Sequence, residues 1–170
     1  MSAEARGSLA DLARLQDEIA ADRRAIARCR EDLHEALAAW RSAAPDRAHL
    51  ALAAVALHGL YSALESILER VGRILDGGVP SGETWHRDLL SQGMTEIPSV
   101  RPAVIPRALY SDLVALLEFR HFFRHAYGVD LDPAKLRDNL DRALSVGPDV
   151  DAALDAFAEF LSRAMTSLSG

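Results

Sequence analysis

Apolar residues in the first quarter of the chain recur at intervals of three, four or seven positions, and charged residues fill the gaps between them. This spacing places the apolar side chains on one face of a helix with 3.6 residues per turn, whereas a strand would need a period of two. The pattern therefore predicts a long amphipathic helix from about residue 8 to residue 43. The apolar positions are Leu9, Leu12, Ile19, Ile26, Leu33 and Leu37.

A second helix is predicted from Arg47 to about residue 75, in a stretch that includes the segment LALAAVALHGLYSAL. Its apolar residues surround most of the helix circumference, and a helix of this kind is buried on more than one side. Pro45 and Asp46 separate it from the first helix. The residues that end it are turn formers, namely Asp76, Gly77, Gly78 and Pro80.

Three more helices are expected in the second half of the chain, from about residue 107 to residue 127, from 133 to 144 and from 148 to 168. No period-two pattern competes with them anywhere in the sequence. We therefore predict an all-α protein, an up-and-down helical bundle that forms one domain over residues 1–170.

A long connector lies between the second and third long helices. It begins with the short helical segment TWHRDLLSQ, for which Thr84 is a suitable N-cap. Connectors of this length are uncommon in compact domains, so this one is a candidate functional loop. Prolines punctuate its second half, at Pro98, Pro102 and Pro106.

Composition narrows the function. The 170 residues carry a formal net charge of -6, which argues against nonspecific coating of nucleic acid, so any RNA contact must be local. The single cysteine, Cys29, cannot form an intramolecular disulfide, and we interpret it as an inert thiol. No N-terminal segment combines a basic start with a long apolar run, which predicts a cytoplasmic protein without membrane association.

The segment EFRHFFRHAYGVDLD, residues 118–132, concentrates basic and aromatic residues that are sparse elsewhere. On a helix, Arg120, Arg124 and Tyr127 share one stripe, and His121 and His125 occupy the adjoining one. We expect the helix to display this arc to solvent. The residues expected to pack inward, on the opposite side, are Phe119, Phe122 and Ala126.

These residue types suit phosphodiester chemistry. Arginine offers a fork of donors to phosphate oxygens, and histidine titrates near neutral pH. A histidine that removes the proton of a ribose 2'-hydroxyl, with an arginine stabilising the transition state, cleaves RNA without metal or cofactor and leaves a cyclic phosphate. No carboxylate cluster accompanies the basic residues, which disfavours a metal-assisted phosphatase. The alternative is a solvated basic face that interacts favourably with the helix dipole.

The motif also resembles that of a known superfamily. RHFFRHAY fits the pattern R-x4-H-x-Y through Arg120, His125 and Tyr127, and it resembles the HEPN superfamily, in particular the HepT-like ribonuclease toxins. His121 supplies the polar residue preferred after the arginine. The context is similar too, because these proteins are helical bundles with the motif late in a long helix. The resemblance covers about residues 50–145 and is supported by the segment TWHRDLL.

The resemblance implies specific roles. Arg120 and His125 would form the catalytic pair of an endoribonuclease, with His121 as a helper. The cleft would form between the motif helices of a homodimer. Tyr127 would be the tyrosine to which a partner nucleotidyltransferase antitoxin, of the MNT type, attaches AMP. From the chemistry of the side chain alone, we add Arg124 as an RNA phosphate contact.

Two other functions stay open at the level of the sequence. Some HEPN proteins are noncatalytic subunits that present a nucleotide or substrate to a separate nucleotidyltransferase. Alternatively, the basic arc could dock an acidic protein partner. The acidic net charge favours these alternatives, whereas the presence of both Arg120 and His125 favours the enzyme.

Two further groups of residues interrupt apolar surroundings. His58, Ser62 and Glu65 form a polar stripe on the second helix. In a functional role, this stripe would reach the cleft or the dimer interface. In a structural role, it would be a satisfied buried hydrogen-bond network or an exposed edge. Trp85, beside His86, either stacks on a base or anchors the connector to the core. In both cases the structural interpretation is favoured.

Overall fold

The computed structural model describes residues 3–42, 44–125 and 131–170, with side chains from residue 6 onward. Within these ranges the chain forms five α-helices and one 3-10 turn, and no strand beyond an isolated bridge. The predicted all-α class is therefore confirmed. The elements are α1 (Ala3–Ser42), α2 (Arg47–Leu75), α3 (Trp85–Gly93), the 3-10 turn (Arg107–Leu109), α4 (Tyr110–His125) and α5 (Pro133–Ser169).

Helix α1 packs antiparallel to α2, as a short connection between two long helices requires. Arg70, near the end of α2, donates to Glu18 at 2.8 Å and to Asp22 at 3.0 Å on the first half of α1. Farther along, Gly59 faces the thiol of Cys29 closely, so that a Cβ at residue 59 would lie 3.0 Å from the sulfur. These contacts fix the register of α1 against α2.

Helix α2 forms the centre of the bundle and contacts α1, α3, α4 and α5. By length and composition α2 alone among the described helices could cross a membrane, but 56% of its most apolar window is buried inside the bundle. Burial of each leucine contributes about 1.5–3 kcal/mol, which accounts for the apolar sequence of this helix. The side chains of α2 that are at most 1% exposed are Ala53, Ala54, Leu57, Tyr61, Leu64, Ile67 and Val71.

Helix α5 corrects one prediction, because a single helix replaces the two expected over residues 133–144 and 148–168. Pro148 lacks the N–H that would bond the carbonyl of Leu144, and it lies at an exposed position of the helix. Val146 and Val150 are both buried and hold the two halves of α5 on the core. Gly147 lets Arg30 of α1 pass close to the helix, since a Cβ there would lie 3.2 Å from its side chain.

The starts of α2 and α3 are capped differently. The side chain of Asp46 accepts a hydrogen bond from the backbone of His49 at 2.9 Å, and caps α2. Thr84 precedes α3 but makes no side-chain cap, because its hydroxyl instead donates to Asp88 at 2.7 Å. Thr84 is therefore the N-cap residue of α3, as predicted, but its side chain does not cap the helix.

Arg101 organises the connector between α3 and α4. Its guanidinium is fully buried and donates to both carboxylate oxygens of Asp76, at 2.6 and 2.7 Å. Its other N–H groups donate to the backbone carbonyls of Thr95, Pro102 and Gln92, at 3.0–3.1 Å. All five donors are thus satisfied, and the connector is bound to the end of α2.

Candidate active site at the end of the motif helix

Helix α4 carries four of the five predicted site residues, and Tyr127 lies outside the described residues. Arg120 points into the bundle and is only 9% exposed, whereas His121 is half-buried at its edge. Arg124 and His125 are exposed in the last turn of the helix. The structure thus places two of these four side chains on the surface, one at the boundary and one inside.

The predicted orientation of α4 is wrong in two places. Phe122, expected to pack inward, is 48% exposed, and Arg120, expected in solvent, is buried. The helix contacts α2, α3 and α5, so its buried arc is wider than a single apolar stripe and includes Arg120. Phe119 is buried as expected. A buried guanidinium is tolerated because paired groups offset its desolvation.

Glu65 of α2 pairs with Arg120. The Nη2 of Arg120 donates to Oε2 of Glu65 at 2.6 Å, and its Nε donates to the hydroxyl of Ser62 at 3.1 Å. The Nη1 of Arg120 is buried and has no hydrogen-bond partner. Ser62 and Glu65 of the polar stripe therefore belong to a hydrogen-bonded network that also contacts the motif arginine.

The other oxygen of Glu65 accepts a hydrogen bond from Nδ1 of His86, at the start of α3. The ring of His86 stacks on Trp85, with 3.5 Å between centroids, and meets His121 edge to face at 4.6 Å. Trp85 also packs against the core, as an anchor does. Three helices thus bring one carboxylate, one guanidinium and two imidazoles into direct contact.

Burial lowers the pKa of His121 below its ordinary value of 6.5. The charges of His86, Arg120 and Arg124 lower this pKa further, whereas Glu65 raises it. His121 is therefore neutral at pH 7, and a neutral imidazole can accept a proton.

His125 is exposed, and its Nδ1 lies 2.8 Å from the carbonyl oxygen of His121. A carbonyl can only accept, so Nδ1 carries the hydrogen. In the neutral ring the other nitrogen, Nε2, is then the atom that can take a proton. This hydrogen bond spans one helical turn and orients the imidazole without help from another helix.

His58 lies one turn before Ser62 on α2, and its ring contacts Phe123 at 5.5 Å between centroids. Its Nδ1 is buried without a hydrogen-bond partner. Burial lowers the pKa of His58, and the nearby charges of Arg120 and Arg124 lower it further, whereas Glu65 raises it. His58 therefore borders the site without joining its hydrogen bonds.

The site combines the guanidinium of Arg120, which is fixed by an ion pair, with the imidazoles of His121 and His125, which can accept and donate protons. The buried carboxylate of Glu65 contacts this group, and its two oxygens are bonded to Arg120 and His86. Among the residues that the structure describes, no group of three or more histidine, cysteine, aspartate or glutamate side chains is arranged to hold a metal ion.

A family model described as HepT-like protein matches residues 52–161, from the first turns of α2 to the second half of α5. The fold, the motif and this match define an HEPN-type helical protein. The match covers more than half of the chain, which therefore belongs to the HepT-like family. Comparisons with curated proteins and with solved structures find no match. Proteins of the HepT-like family are often ribonuclease toxins.

The sequence did not predict the pairing of Glu65 with His86 or with Arg120. One signal was present, since a glutamate within the apolar segment SALESIL must be paired if it is buried. His86 carried no comparable signal, because its proximity to His121 depends on how α3 packs against α4.

Proposed function

We propose that this protein is a metal-independent endoribonuclease, and that it acts as the toxin of a toxin–antitoxin pair. The observation that carries the proposal is the grouping of Arg120, His121 and His125 at the end of α4, in a chain of the HepT-like family. Family membership supplies the expectation of RNA cleavage. The arrangement of the three side chains supports a chemical route to it.

In this mechanism His125 Nε2 removes the proton of a ribose 2'-hydroxyl, and the 2'-oxygen attacks the neighbouring phosphorus. The new bond between the 2'-oxygen and phosphorus forms as the bond to the 5'-oxygen breaks. The products are a cyclic phosphate and a 5'-hydroxyl, whose proton comes from solvent or from a protonated imidazole. The Nδ1 bond of His125 to the backbone supports its role, because it leaves Nε2 as the basic atom.

Arg120 would stabilise the negative charge that develops on the phosphate oxygens, a task that preorganised donors perform best. Its Nη1 has no hydrogen-bond partner among the described residues but is buried, so the guanidinium would have to turn outward before Nη1 could donate to a phosphate oxygen. Arg124, exposed one turn further along, would contact the RNA backbone. His121 would assist as a neutral imidazole beside them.

A second function is favoured by the burial of Arg120. Its side chain is 10% exposed and forms an ion pair with Glu65. In the single chain, the guanidinium is therefore not accessible to an RNA phosphate. That favours a noncatalytic subunit which binds a nucleotide or substrate for a partner nucleotidyltransferase. Cleavage of RNA by the purified protein separates the two functions.

We also propose a homodimer as the active assembly and a nucleotidyltransferase of the MNT type as antitoxin, both in the cytoplasm. Phe122 supports the dimer, because a large aromatic side chain is exposed on the motif helix itself. An open groove of about 580 Å³ adjoins it between α4 and α5, with Phe119 and Leu136 in its wall. One motif helix cannot surround a phosphodiester, whereas two facing helices can.

The test is incubation of the purified protein with total RNA and with tRNA in the presence of a chelator. We expect cleavage that leaves cyclic phosphate ends. A strict requirement for magnesium in the cleavage step would contradict the mechanism, and an absence of cleavage by the folded dimer would favour the noncatalytic subunit.

A further inference from the structure

Glu65 and His86 are the most deeply buried polar groups that contact the motif, and neither belongs to it. Their side chains are 5% and 9% exposed. Glu65 uses one oxygen for His86 and the other for Arg120, so its carboxylate is fixed from two helices. Burial of such a pair costs several kcal/mol per ion unless good hydrogen bonds offset it, so its position beside the motif calls for an explanation.

His86 connects this carboxylate to His121. Its Nδ1 donates a hydrogen bond to Glu65. Its ring packs edge to face with that of His121, with 4.6 Å between centroids. Trp85 stacks on the ring at 3.5 Å and fixes its plane. Because the hydrogen bond and the stacked indole both restrict the ring, His86 is held in one orientation against His121.

We propose that Glu65 and His86 are positioning residues of the site, through which Glu65 orients the guanidinium of Arg120 and His86 orients the imidazole of His121. This inference rests on the proposed ribonuclease function for its effect on cleavage. Neither residue touches the reacting atoms. They act by restricting two groups of the motif to one arrangement, and a displacement of about 1 Å in such groups can cost a hundredfold in rate.

The charges around His121 give the pair a second, measurable effect. His86 from α3 and Arg120 and Arg124 from α4 lower the pKa of His121, and Glu65 from α2 raises it. His125 touches only the carbonyl of this residue. Removal of His86 should therefore raise the pKa of His121. If activity needs neutral His121, the pH at which activity falls on acidification should then be higher than in the wild type.

Two substitutions separate the roles of His86. Asparagine places an amide N–H near the position of Nδ1, so His86→Asn keeps a donor for Glu65 but removes the ring that contacts His121. His86→Ala removes both. We expect His86→Ala to lower kcat by about tenfold to a hundredfold with little change in KM, and His86→Asn to recover part of the loss. His49→Asn is the matched control, because His49 pairs with Asp46 at the far end of α2.

An NMR titration of the His121 imidazole provides a readout that does not depend on catalysis. In the wild type its pKa should lie below 6.5, and it should rise in both His86 variants. If His86→Ala does not fold, the wild type and His86→Asn still give this comparison. A His121 titration that is the same with and without His86 would overturn the positioning role.

The two proposals fail in different ways. If the wild type cleaves no RNA, the proposed function fails, and the His121 titration alone decides the role of the pair. If the wild type cleaves RNA but His86→Ala retains full kcat and an unchanged pH profile, the positioning role fails while the ribonuclease stands.

Discussion

Glu65 on α2 and Arg120 on α4 form a buried ion pair, in which Nη2 and Oε2 are 2.6 Å apart. Removing one partner of a buried pair leaves an uncompensated charge and costs about 3–5 kcal/mol. Arg120→Ala should therefore lower the free energy of unfolding by an amount of this order. The loss of cleavage in that variant would then reflect folding as well as chemistry.

A double-mutant cycle measures the pair directly. We expect Arg120→Ala and Glu65→Ala to be coupled by more than about 1 kcal/mol in the free energy of unfolding, obtained by denaturant titration. The exposed pair of Arg87 and Glu118, with N and O 2.5 Å apart, is the matched control and should give less than about 1 kcal/mol. Equal coupling in the two cycles would contradict the burial of Arg120.

His125→Ala gives the clean test of catalysis, because this side chain is exposed and its hydrogen bond within the described residues is to a backbone carbonyl. We expect its rate of RNA cleavage to fall about a hundredfold or more while the thermal midpoint stays close to that of the wild type. His34→Ala removes another exposed histidine, on α1, and should leave cleavage unchanged. Full activity in a folded His125→Ala protein would remove His125 from the mechanism.

The assembly can be tested at Phe122. We expect light scattering to show a dimer at assay concentrations, and Phe122→Glu to shift it toward monomer, because a charge replaces an exposed aromatic side chain. Val55→Glu, at another exposed apolar position on α2, serves as the comparison. A stable wild-type monomer with full activity would contradict a cleft shared by two motif helices.

Control by modification concerns Tyr127, which lies outside the described residues. An AMP group on its phenol would add a phosphate near the arginines of the motif and occupy the path of the RNA backbone. After co-expression with the proposed nucleotidyltransferase partner, intact-mass measurement should show adenylate adducts on the wild type and on Tyr110→Phe. The Tyr127→Phe variant should lack them and retain cleavage. Neutralisation without any adduct would rule out this form of control.

Arg101 provides a prediction about stability alone. Arg101→Ala leaves the buried carboxylate of Asp76 without its ionic partner, so we expect a loss of about 3–5 kcal/mol by denaturant titration. Arg73→Ala breaks an exposed pair with Glu69 four residues away and should cost less than about 1 kcal/mol. Similar losses for the two variants would show that the buried pair is not a stabilising contact.

Periodicity and turn-forming residues predicted the first two helices closely, because those signals are local. The break at Pro148 was wrong, since burial of Val146 and Val150 outweighs the missing hydrogen bond at an exposed position. The orientation of Arg120 and Phe122 was wrong for a different reason. Positions around a helix follow from spacing, but which side is covered depends on three neighbouring helices.

The residues of the candidate site also fall into two groups, those that the sequence pattern predicted and those that depend on tertiary packing. Arg120, His121 and His125 share one helix, and their spacing could be read from the chain. Glu65 and His86 belong to other helices, 55 and 34 residues before Arg120 in the sequence. Their contacts depend on tertiary packing, which a motif within a single helix does not encode.

The connector between α3 and α4 has the composition of a protease-sensitive loop, with prolines and the exposed residues Ser99 and Val100. Arg101 nevertheless ties it to Asp76, and the backbone of Val104 donates to Gly93 at 2.8 Å. A protease cleaves a segment only after the segment opens locally, and here opening would expose a buried guanidinium together with Val104 and Ile105. Limited proteolysis should therefore spare this segment, and inserted tags should be tolerated poorly within it.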